Sequence, residues 1–226
     1  MEERLAGGKL LLDFPAEAVA RLRIANPERR NALDHEILDA IAEALVAHPF
    51  HAAMEALASH PWPTLAAING HCLGGGLELA VTCDLRICAA GAKLGMPPAK
   101  LGLIYGHTGL RKFLDTIGLA RTKELFLTGR NFEAERAEQI GLVHEVVEPE
   151  GFDEAAVALA AQIAAHAPLS MRGNKQAIEM LNANPVLSRA QEAELVALRE
   201  SCFASEDLRE GIRAFGEKRR PEWTGR

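Results

Sequence analysis

The order of apolar and polar residues near the start of the chain predicts two strands followed by a helix. Residues 9–14 form a short apolar run, and residues 20–24 alternate apolar and basic side chains, which is the period of a half-buried strand. Asp34 is a suitable N-cap for the helix that follows. The apolar face of this helix is expected to consist of Ile37, Leu38, Ile41 and Leu45.

A similar order returns between residues 61 and 96. Two prolines break the chain before residues 64–68, a short apolar run that suits a buried strand. A helix is predicted from about Gly75 to about Asp84, and strands are predicted at residues 85–89 and 92–96. This repetition predicts an α/β fold built from stacked strand-strand-helix layers.

The chain beyond Leu110 has a mainly helical pattern. Asp153 is expected to cap a helix that ends near Pro168, and the last helix is expected to begin after Ser205. That last helix should carry the basic residues 218–220 in its final turn, where positive charge complements the helix dipole.

The composition narrows the class of protein. A net charge of −6 gives no general attraction to nucleic acid. The first residues lack the layout of a secretion signal, and no apolar run approaches the roughly 18 residues needed to cross a bilayer. We therefore expect a cytoplasmic protein that binds neither nucleic acid nor membrane. The four cysteines form no CxxC pair, so we expect reduced thiols and no metal site.

Three successive glycines, Gly74, Gly75 and Gly76, mark the most informative segment. Glycine lets the backbone come close to a ligand, and the unpaired N–H groups at a helix start form a site for an oxyanion. The spacing matches neither a P-loop nor the GxGxxG dinucleotide motif. For the glycines alone, a tight turn that lets a helix pack closely is the alternative.

Glu78 follows the glycines on the first turn of the predicted helix, between Leu77 and Leu79. A carboxylate among apolar neighbours tends to have a raised pKa and can exchange protons near neutral pH. The alternative is a glutamate that only complements the helix dipole.

Residues 68–84 resemble the signature of the enoyl-CoA hydratase/isomerase (crotonase) family. The matching positions are Asn69, Gly70, the three glycines, Glu78, Cys83 and Asp84. The resemblance continues through residues 26–33, 123–143 and 210–219, so it covers nearly the whole chain.

This resemblance implies a crotonase-like α/β fold, with a spiral of repeated ββα units over residues 1–150 and a helical trimerisation region over residues 151–226. It implies homotrimers or dimers of trimers. The backbone N–H of Gly75 would donate to the thioester oxygen of an acyl-CoA substrate, and Glu78 would be the acid/base residue. No cofactor is expected, because coenzyme A is part of the substrate.

The resemblance also implies contacts to the substrate from other parts of the chain. Arg29 or Arg30 would reach the nucleotide phosphates, and Phe215 and Lys218 would approach the CoA of a neighbouring subunit. Each basic residue could instead be a solvated surface charge. The full set of expected substrate-binding residues is Leu73, Gly74, Gly76, Pro98, Leu103, Arg29, Phe215 and Lys218.

One departure from the family pattern concerns the second catalytic carboxylate. Pro98 occupies the position of the family's second glutamate, and proline cannot exchange a proton. The Pro-x-x-Leu-Gly-x-x-Tyr pattern that starts there ends at Tyr105, the only tyrosine, and resembles the methylmalonyl-CoA decarboxylase branch of the family. Tyr105 could hydrogen-bond a carboxylate or help to orient it for loss of CO2, or it could be a core tyrosine with a satisfied hydroxyl group.

A second departure lies between Val46 and Met54. The family has a strand and a loop there that supply the other oxyanion donor, and roughly 30 residues of that layout are absent. We expect that a segment near residues 47–49 of the natural protein is missing from this sequence.

These observations predict an acyl-CoA enzyme that works through an oxyanion-stabilised enolate. Hydration or isomerisation is the default reaction, and decarboxylation is the alternative because of Pro98 and Tyr105. A non-catalytic CoA-binding or scaffold protein of the same family is the alternative from another class, although the intact Glu78 favours an enzyme.

Overall fold

The computed structural model describes residues 3–16, 19–25, 36–37, 50–102, 104–184 and 186–226, which fall into two compact units. Unit 1 comprises Met1–His60 and Thr64–Ala161, and unit 2 comprises Pro61–Pro63 and Gln162–Arg226. The proposed N-cap Asp34 and the proposed break near residues 47–49 lie outside the described residues. Of the helix predicted there, residues 36–37 are described and are helical.

The chain begins with an antiparallel meander in unit 1. Its strands are β1 (Glu3–Leu5), β2 (Leu10–Ala16) and β3 (Val19–Ile24), in the order β1-β2-β3. The two strands predicted from the pattern, β2 and β3, are confirmed, whereas β1 was not predicted. The meander buries Leu10 completely against Ile37 and helix α1 (Phe50–Ala58).

Two further sheets in unit 1 flank the glycine segment. Strands β4 (Leu65–Ile68), β6 (Leu85–Ala89) and β9 (Glu145–Val147) form an all-parallel sheet in the order β4-β6-β9. Strands β5 (Cys72–Leu73), β7 (Lys93–Gly95) and β8 (Asn131–Glu133) form the other, in which β5 pairs parallel and β8 antiparallel to β7. The predicted strands at residues 64–68, 85–89 and 92–96 are confirmed.

Helix α2 (Gly75–Thr82) leaves β5 and crosses the core of unit 1, as the sequence predicted. The other helices of this unit are α3 (Pro98–Leu101), α4 (His107–Thr128), α5 (Ala134–Gln139) and most of α6 (Phe152–Ala164). Leu77 of α2 and Phe113 of α4 are fully buried in the same apolar cluster. Burial of a side chain of this size stabilises the folded chain by about 1.5–3 kcal/mol, so α2 is held firmly in place.

Unit 2 contains helices α7 (Pro168–Ala183), α8 (Arg189–Ala204) and α9 (Glu206–Glu217). Ser205 caps α9 by accepting a hydrogen bond from the amide of Leu208, as expected for a start after Ser205. The prediction that Asp153 is an N-cap is wrong, because α6 begins at Phe152. Asp153 lies instead in the first turn, where its negative charge interacts favourably with the positive end of the helix dipole.

The expected basic end of the last helix is also wrong. Helix α9 ends at Glu217, and Lys218 takes a left-handed C-cap conformation with a φ of 53°. Arg219 folds back, and its guanidinium donates to the Glu210 carboxylate at 2.6 Å. The cause is electrostatic, because a carboxylate that is almost fully buried binds the guanidinium more strongly than the end of a helix dipole does.

Two buried carboxylates of α9 hold the last residues of the chain. Glu210 accepts hydrogen bonds from Arg219, from Arg213 and from the amide of Glu222. Asp207 accepts from the amides of Thr224 and Gly225. The hydrogen bonds from Arg219 and Arg213 hold the pKa of Glu210 well below its usual range. The stabilisation from Glu210 is therefore present above the pKa of an unfolded glutamate and is lost only as pH falls through the depressed folded value.

We predict that Glu210→Gln loosens the segment that follows α9, because the amide cannot pair with two guanidinium groups. Limited trypsin digestion at neutral pH should cleave after Arg219 several-fold faster than in the wild type. Glu217→Gln is the matched control, since Glu217 also pairs with Arg219 but is exposed. Equal cleavage rates in the two variants would contradict this role of Glu210.

Candidate active site

The glycine segment makes a sharp turn from strand β5 into helix α2. Gly74 has a φ of 58° and a ψ of −125°, a conformation that favours glycine. Its amide donates to the carbonyl of Gly95 at 2.9 Å, and its carbonyl accepts from the amides of Leu77 and Glu78 at 3.0 and 3.1 Å. These bonds fix the first turn of α2 on the sheet formed by β5, β7 and β8.

Gly75 and Gly76 are the first two residues of α2. Within the described part of the chain, their amides have no hydrogen-bond acceptor. The first N–H groups of a helix have no partner inside the helix, and the positive end of its dipole lies at the same place. The turn therefore presents two backbone donors of the kind that can hold an oxyanion.

Glu78 lies in the first turn of α2, with only 6% of its surface exposed. It is surrounded by the main apolar cluster of unit 1, to which Leu77 and Ala80 belong. Since Gly75 and Glu78 are three residues apart on one helix, they lie about one turn from each other. The amides of Gly75 and Gly76 and the Glu78 carboxylate thus belong to the same helix.

Tyr105 lies in the loop before α4, and its hydroxyl group donates a hydrogen bond to the Glu78 carboxylate. Its ring makes an edge-to-face contact with Phe126, with ring centroids 5.5 Å apart. Burial, followed by the hydrogen bond and negative charge of Glu78, raises the pKa of Tyr105 well above its usual value. Tyr105 therefore stays a protonated donor to the carboxylate at neutral pH.

Pro98 is buried and begins the short helix α3, preceded by Pro97. Proline is well suited to a first helical position because its missing N–H would have no partner there. The turn that contains Pro98 is close to the glycine segment, because a Cβ on Gly74 would lie 4.0 Å from Cδ of Pro97. The first residue of this short helix therefore carries no titratable group.

The other expected substrate-binding residues are distributed as follows. Leu73 is exposed beside the glycine turn. Phe215 and Lys218 lie at the end of α9 in unit 2, and the Phe215 side chain is 88% exposed. Arg29, Arg30 and Leu103 lie outside the described residues.

Sequence reasoning missed Gly109, which is buried in the first turn of α4. A Cβ at this position would lie 2.7 Å from Oε1 of Glu78. The available signal was a glycine immediately before the predicted helical region and four residues after Tyr105, but no local pattern relates residue 109 to residue 78.

The cysteines and other potential metal ligands do not form a second reactive centre in the described ranges. No group of three or more His, Cys, Asp or Glu side chains is placed there to share a metal ion. All four cysteines are free, and burial raises the pKa of Cys72 to about 12 and that of Cys88 to about 11. These two thiols are therefore protonated near neutral pH.

Among the residues that the structure describes, no helix has the length and apolar character needed to span a membrane.

The family model for enoyl-CoA hydratase/isomerase matches residues 42–226 of this chain. The chain is 38% identical to the enoyl-CoA isomerase/hydratase fer4 of Mycosarcoma maydis over 224 residues, which are 95% of this chain and 79% of that protein. It is 37% identical to the short-chain-enoyl-CoA hydratase of Clostridium acetobutylicum over 161 residues, 71% of this chain. That alignment spans only 60% of the relative's length, and the alignment with the mouse enoyl-CoA hydratase domain-containing protein 2, mitochondrial, spans 59%.

Solved structures give the same result for the fold. The enoyl-CoA hydratase of Bacillus anthracis aligns with a TM-score of 0.87 and 28% identity, covering 96% of this chain and 100% of that one. The enoyl-CoA hydratase of Mycobacterium tuberculosis H37Rv aligns with a TM-score of 0.81 and 29% identity, covering 96% and 99%. The expected crotonase-like α/β fold with C-terminal helices is confirmed.

We predict that Tyr105 ionises only at a pH well above the usual tyrosine range, and that Glu78→Gln lowers its pKa part of the way back. The chain has one tyrosine, so the ultraviolet absorbance of tyrosinate reports this residue alone. Because the pKa of Tyr105 is raised in the folded protein, the protonated phenol contributes to the stability of the fold. This contribution is fully present below the unfolded pKa of about 10 and is lost as pH rises through the folded pKa.

The control for this titration is the protein unfolded in denaturant, in which Tyr105 should titrate at the ordinary tyrosine pKa of about 10. A native protein that titrates together with this control would show that the phenol is not bonded to Glu78.

Proposed function

This chain belongs to the enoyl-CoA hydratase/isomerase family, and we propose that it acts on an acyl-CoA thioester through an enolate held at Gly75. The observation that supports the proposal most directly is the arrangement of α2. The helix presents the amides of Gly75 and Gly76 at its start and the buried Glu78 carboxylate one turn later. An oxyanion site and a base on one helix are the two groups that enolate formation needs.

The proposed reaction begins when the thioester carbonyl accepts a hydrogen bond from the Gly75 amide. In isomerisation, negative charge develops on that oxygen as the α-carbon gives a proton to Glu78, which then returns it to the γ-carbon. In hydration, the same charge develops as water adds to the β-carbon and gives a proton to Glu78, which then returns it to the α-carbon. A donor aimed at such developing charge contributes about 3–4 kcal/mol to the transition state. This chemistry needs no cofactor, because coenzyme A enters as part of the substrate.

Pro98 bears on which reaction follows. Hydration uses two groups to add water, whereas isomerisation needs one base that moves a proton between two carbons. Here a single carboxylate, Glu78, has a phenol from Tyr105 as its hydrogen-bonded neighbour. Proton transfer by Glu78 in an isomerase or hydratase reaction remains our first proposal.

Decarboxylation of an acyl-CoA that carries a second carboxylate is the second candidate. Two observations favour it: Pro98 replaces a proton-exchanging side chain, and the phenol of Tyr105 lies at the site. Loss of CO2 would leave the same enolate, with its oxygen at Gly75, so the oxyanion site would be used unchanged.

We also propose that the chain forms homotrimers or dimers of trimers. Helices α7, α8 and α9 of unit 2 expose several large apolar side chains to solvent, and an exposed apolar surface of this kind is typical of a protein interface. These side chains are Ile178, Leu181, Val196, Phe203, Ile212 and Phe215. In such an assembly Phe215 and Lys218 would contact the CoA of a neighbouring subunit. Arg29 or Arg30 would reach the nucleotide phosphates of CoA.

We predict that Glu78→Gln lowers turnover by about 10²- to 10⁴-fold, the usual contribution of a general acid or base, while acyl-CoA still binds. Turnover is measured by mass spectrometry and proton NMR with crotonyl-CoA, a 3-enoyl-CoA and methylmalonyl-CoA. Gain of water, an unchanged mass with a shifted double bond, and loss of CO2 distinguish the three reactions.

Glu135→Gln is the matched control for this experiment. Glu135 lies in the first turn of α5, as Glu78 lies in that of α2, but its side chain is exposed. Wild-type turnover by Glu78→Gln as well as by Glu135→Gln would overturn the proposed role of Glu78. A wild-type protein that binds acyl-CoA but turns over none of the three substrates would favour a scaffold protein.

A further inference from the structure

Gly109 occupies a position where glycine has no conformational advantage. It lies in the first turn of α4, and its backbone is helical rather than left-handed. A glycine inside a helix is less favourable than alanine by about 1 kcal/mol. The local backbone therefore does not explain why residue 109 is a glycine, and the explanation has to come from what lies against it.

The space beside Gly109 is filled by the two side chains of the candidate active site. A Cβ built at residue 109 would lie 2.7 Å from Oε1 of Glu78 and 2.7 Å from Cε1 of Tyr105. Both distances are far below an ordinary van der Waals contact of about 3.5–4.0 Å. Even an alanine would displace one or both of these groups.

Neither group can move away without losing a contact. The Tyr105 ring packs edge-on against Phe126, which in turn packs against Phe113 with ring centroids 5.0 Å apart. Glu78 is buried on α2 and accepts the Tyr105 hydroxyl on Oε2, so a rotation that moves Oε1 away from residue 109 also moves Oε2 away from the hydroxyl. The Glu78 carboxylate and the Tyr105 ring are therefore packed so closely around residue 109 that an added methyl group has no room there.

We infer that Gly109 is a positioning residue, whose missing side chain lets α4 approach α2 closely enough to hold the Glu78 carboxylate and the Tyr105 phenol together. Its effect on catalysis rests on the proposed function, in which Glu78 transfers the proton. Its effect on the Glu78–Tyr105 pair does not, because that follows from packing alone.

Gly106, three residues earlier, provides the contrast. Its φ is −59°, and a Cβ there would meet only Oγ1 of Thr108, at 3.9 Å. An alanine at residue 106 is thus compatible with both the backbone and the neighbours. The two glycines belong to the same loop-to-helix junction, so Gly106→Ala is a matched control for Gly109→Ala.

The test compares Gly109→Ala, Gly106→Ala and the wild type by three measurements. Titration of the single tyrosine without substrate should show a lower pKa for Tyr105 in Gly109→Ala than in the other two, because the phenol has separated from the Glu78 charge. Turnover of the preferred acyl-CoA should fall on the order of 100-fold in Gly109→Ala, the usual effect of an ångström-scale misplacement. The Kd of the acyl-CoA should stay within about twofold, and Gly106→Ala should match the wild type.

Wild-type tyrosine titration and turnover in Gly109→Ala would overturn the inference, and so would a fall in affinity as large as the fall in turnover. If Gly109→Ala does not fold, the double variant Tyr105→Ala/Gly109→Ala decides the matter. Without the ring, the carboxylate can turn away, so this variant should be as stable as Tyr105→Ala, and failure of the double variant to fold would overturn the inference.

The outcome is separable from that of the proposed function. A lowered Tyr105 pKa in Gly109→Ala, together with a wild-type protein that turns over no acyl-CoA, would support the packing role and reject the proposed reaction. A wild type that turns over acyl-CoA, together with an equally active Gly109→Ala that has the wild-type Tyr105 pKa, would support the proposed reaction and reject the packing role.

Discussion

The turn at Gly74 is the constraint on which the site depends. Its left-handed φ and its three backbone hydrogen bonds take the chain from strand β5 directly into helix α2. This single change of direction leaves the amides of Gly75 and Gly76 open and places Glu78 one turn later, inside the apolar cluster of unit 1. The positions of these amides and of Glu78 relative to the sheet are therefore set by one backbone turn.

Burial of Glu78 creates an energetic problem that its neighbours resolve. A carboxylate in an apolar environment is costly unless it is hydrogen-bonded, and Tyr105 supplies such a bond from a loop 27 residues further along the chain. The ring of Tyr105 is fixed by Phe126, and the space for both groups exists because residue 109 has no side chain. The site is thus built by α2, α4 and the loop between α3 and α4, all within unit 1.

Much of this fold could be predicted from the sequence, because its elements have strong local signals. Strands β4 and β6 are short apolar runs after turn residues, and α2 follows directly from the glycines. The hydrogen bond between Tyr105 and Glu78 and the role of Gly109 could not be foreseen, since both arise from contacts between distant segments. The predicted end of α9 was wrong for a similar reason. Arg219 leaves the helix and donates a hydrogen bond to the buried Glu210 carboxylate, a contact that the local sequence does not indicate.

The central claim is that the backbone amide at Gly75 binds the thioester oxygen as it gains negative charge. The most direct test is the infrared difference spectrum of an unreactive acyl-CoA analogue bound to the protein, with the carbonyl carbon isotopically labelled. A carbonyl stretch shifted to lower frequency than in free solution, with the shift lost in Gly75→Pro, is the predicted result, because proline is tolerated at a first helical position but has no N–H. An unshifted stretch, or one equally shifted in Gly75→Pro, would contradict the account.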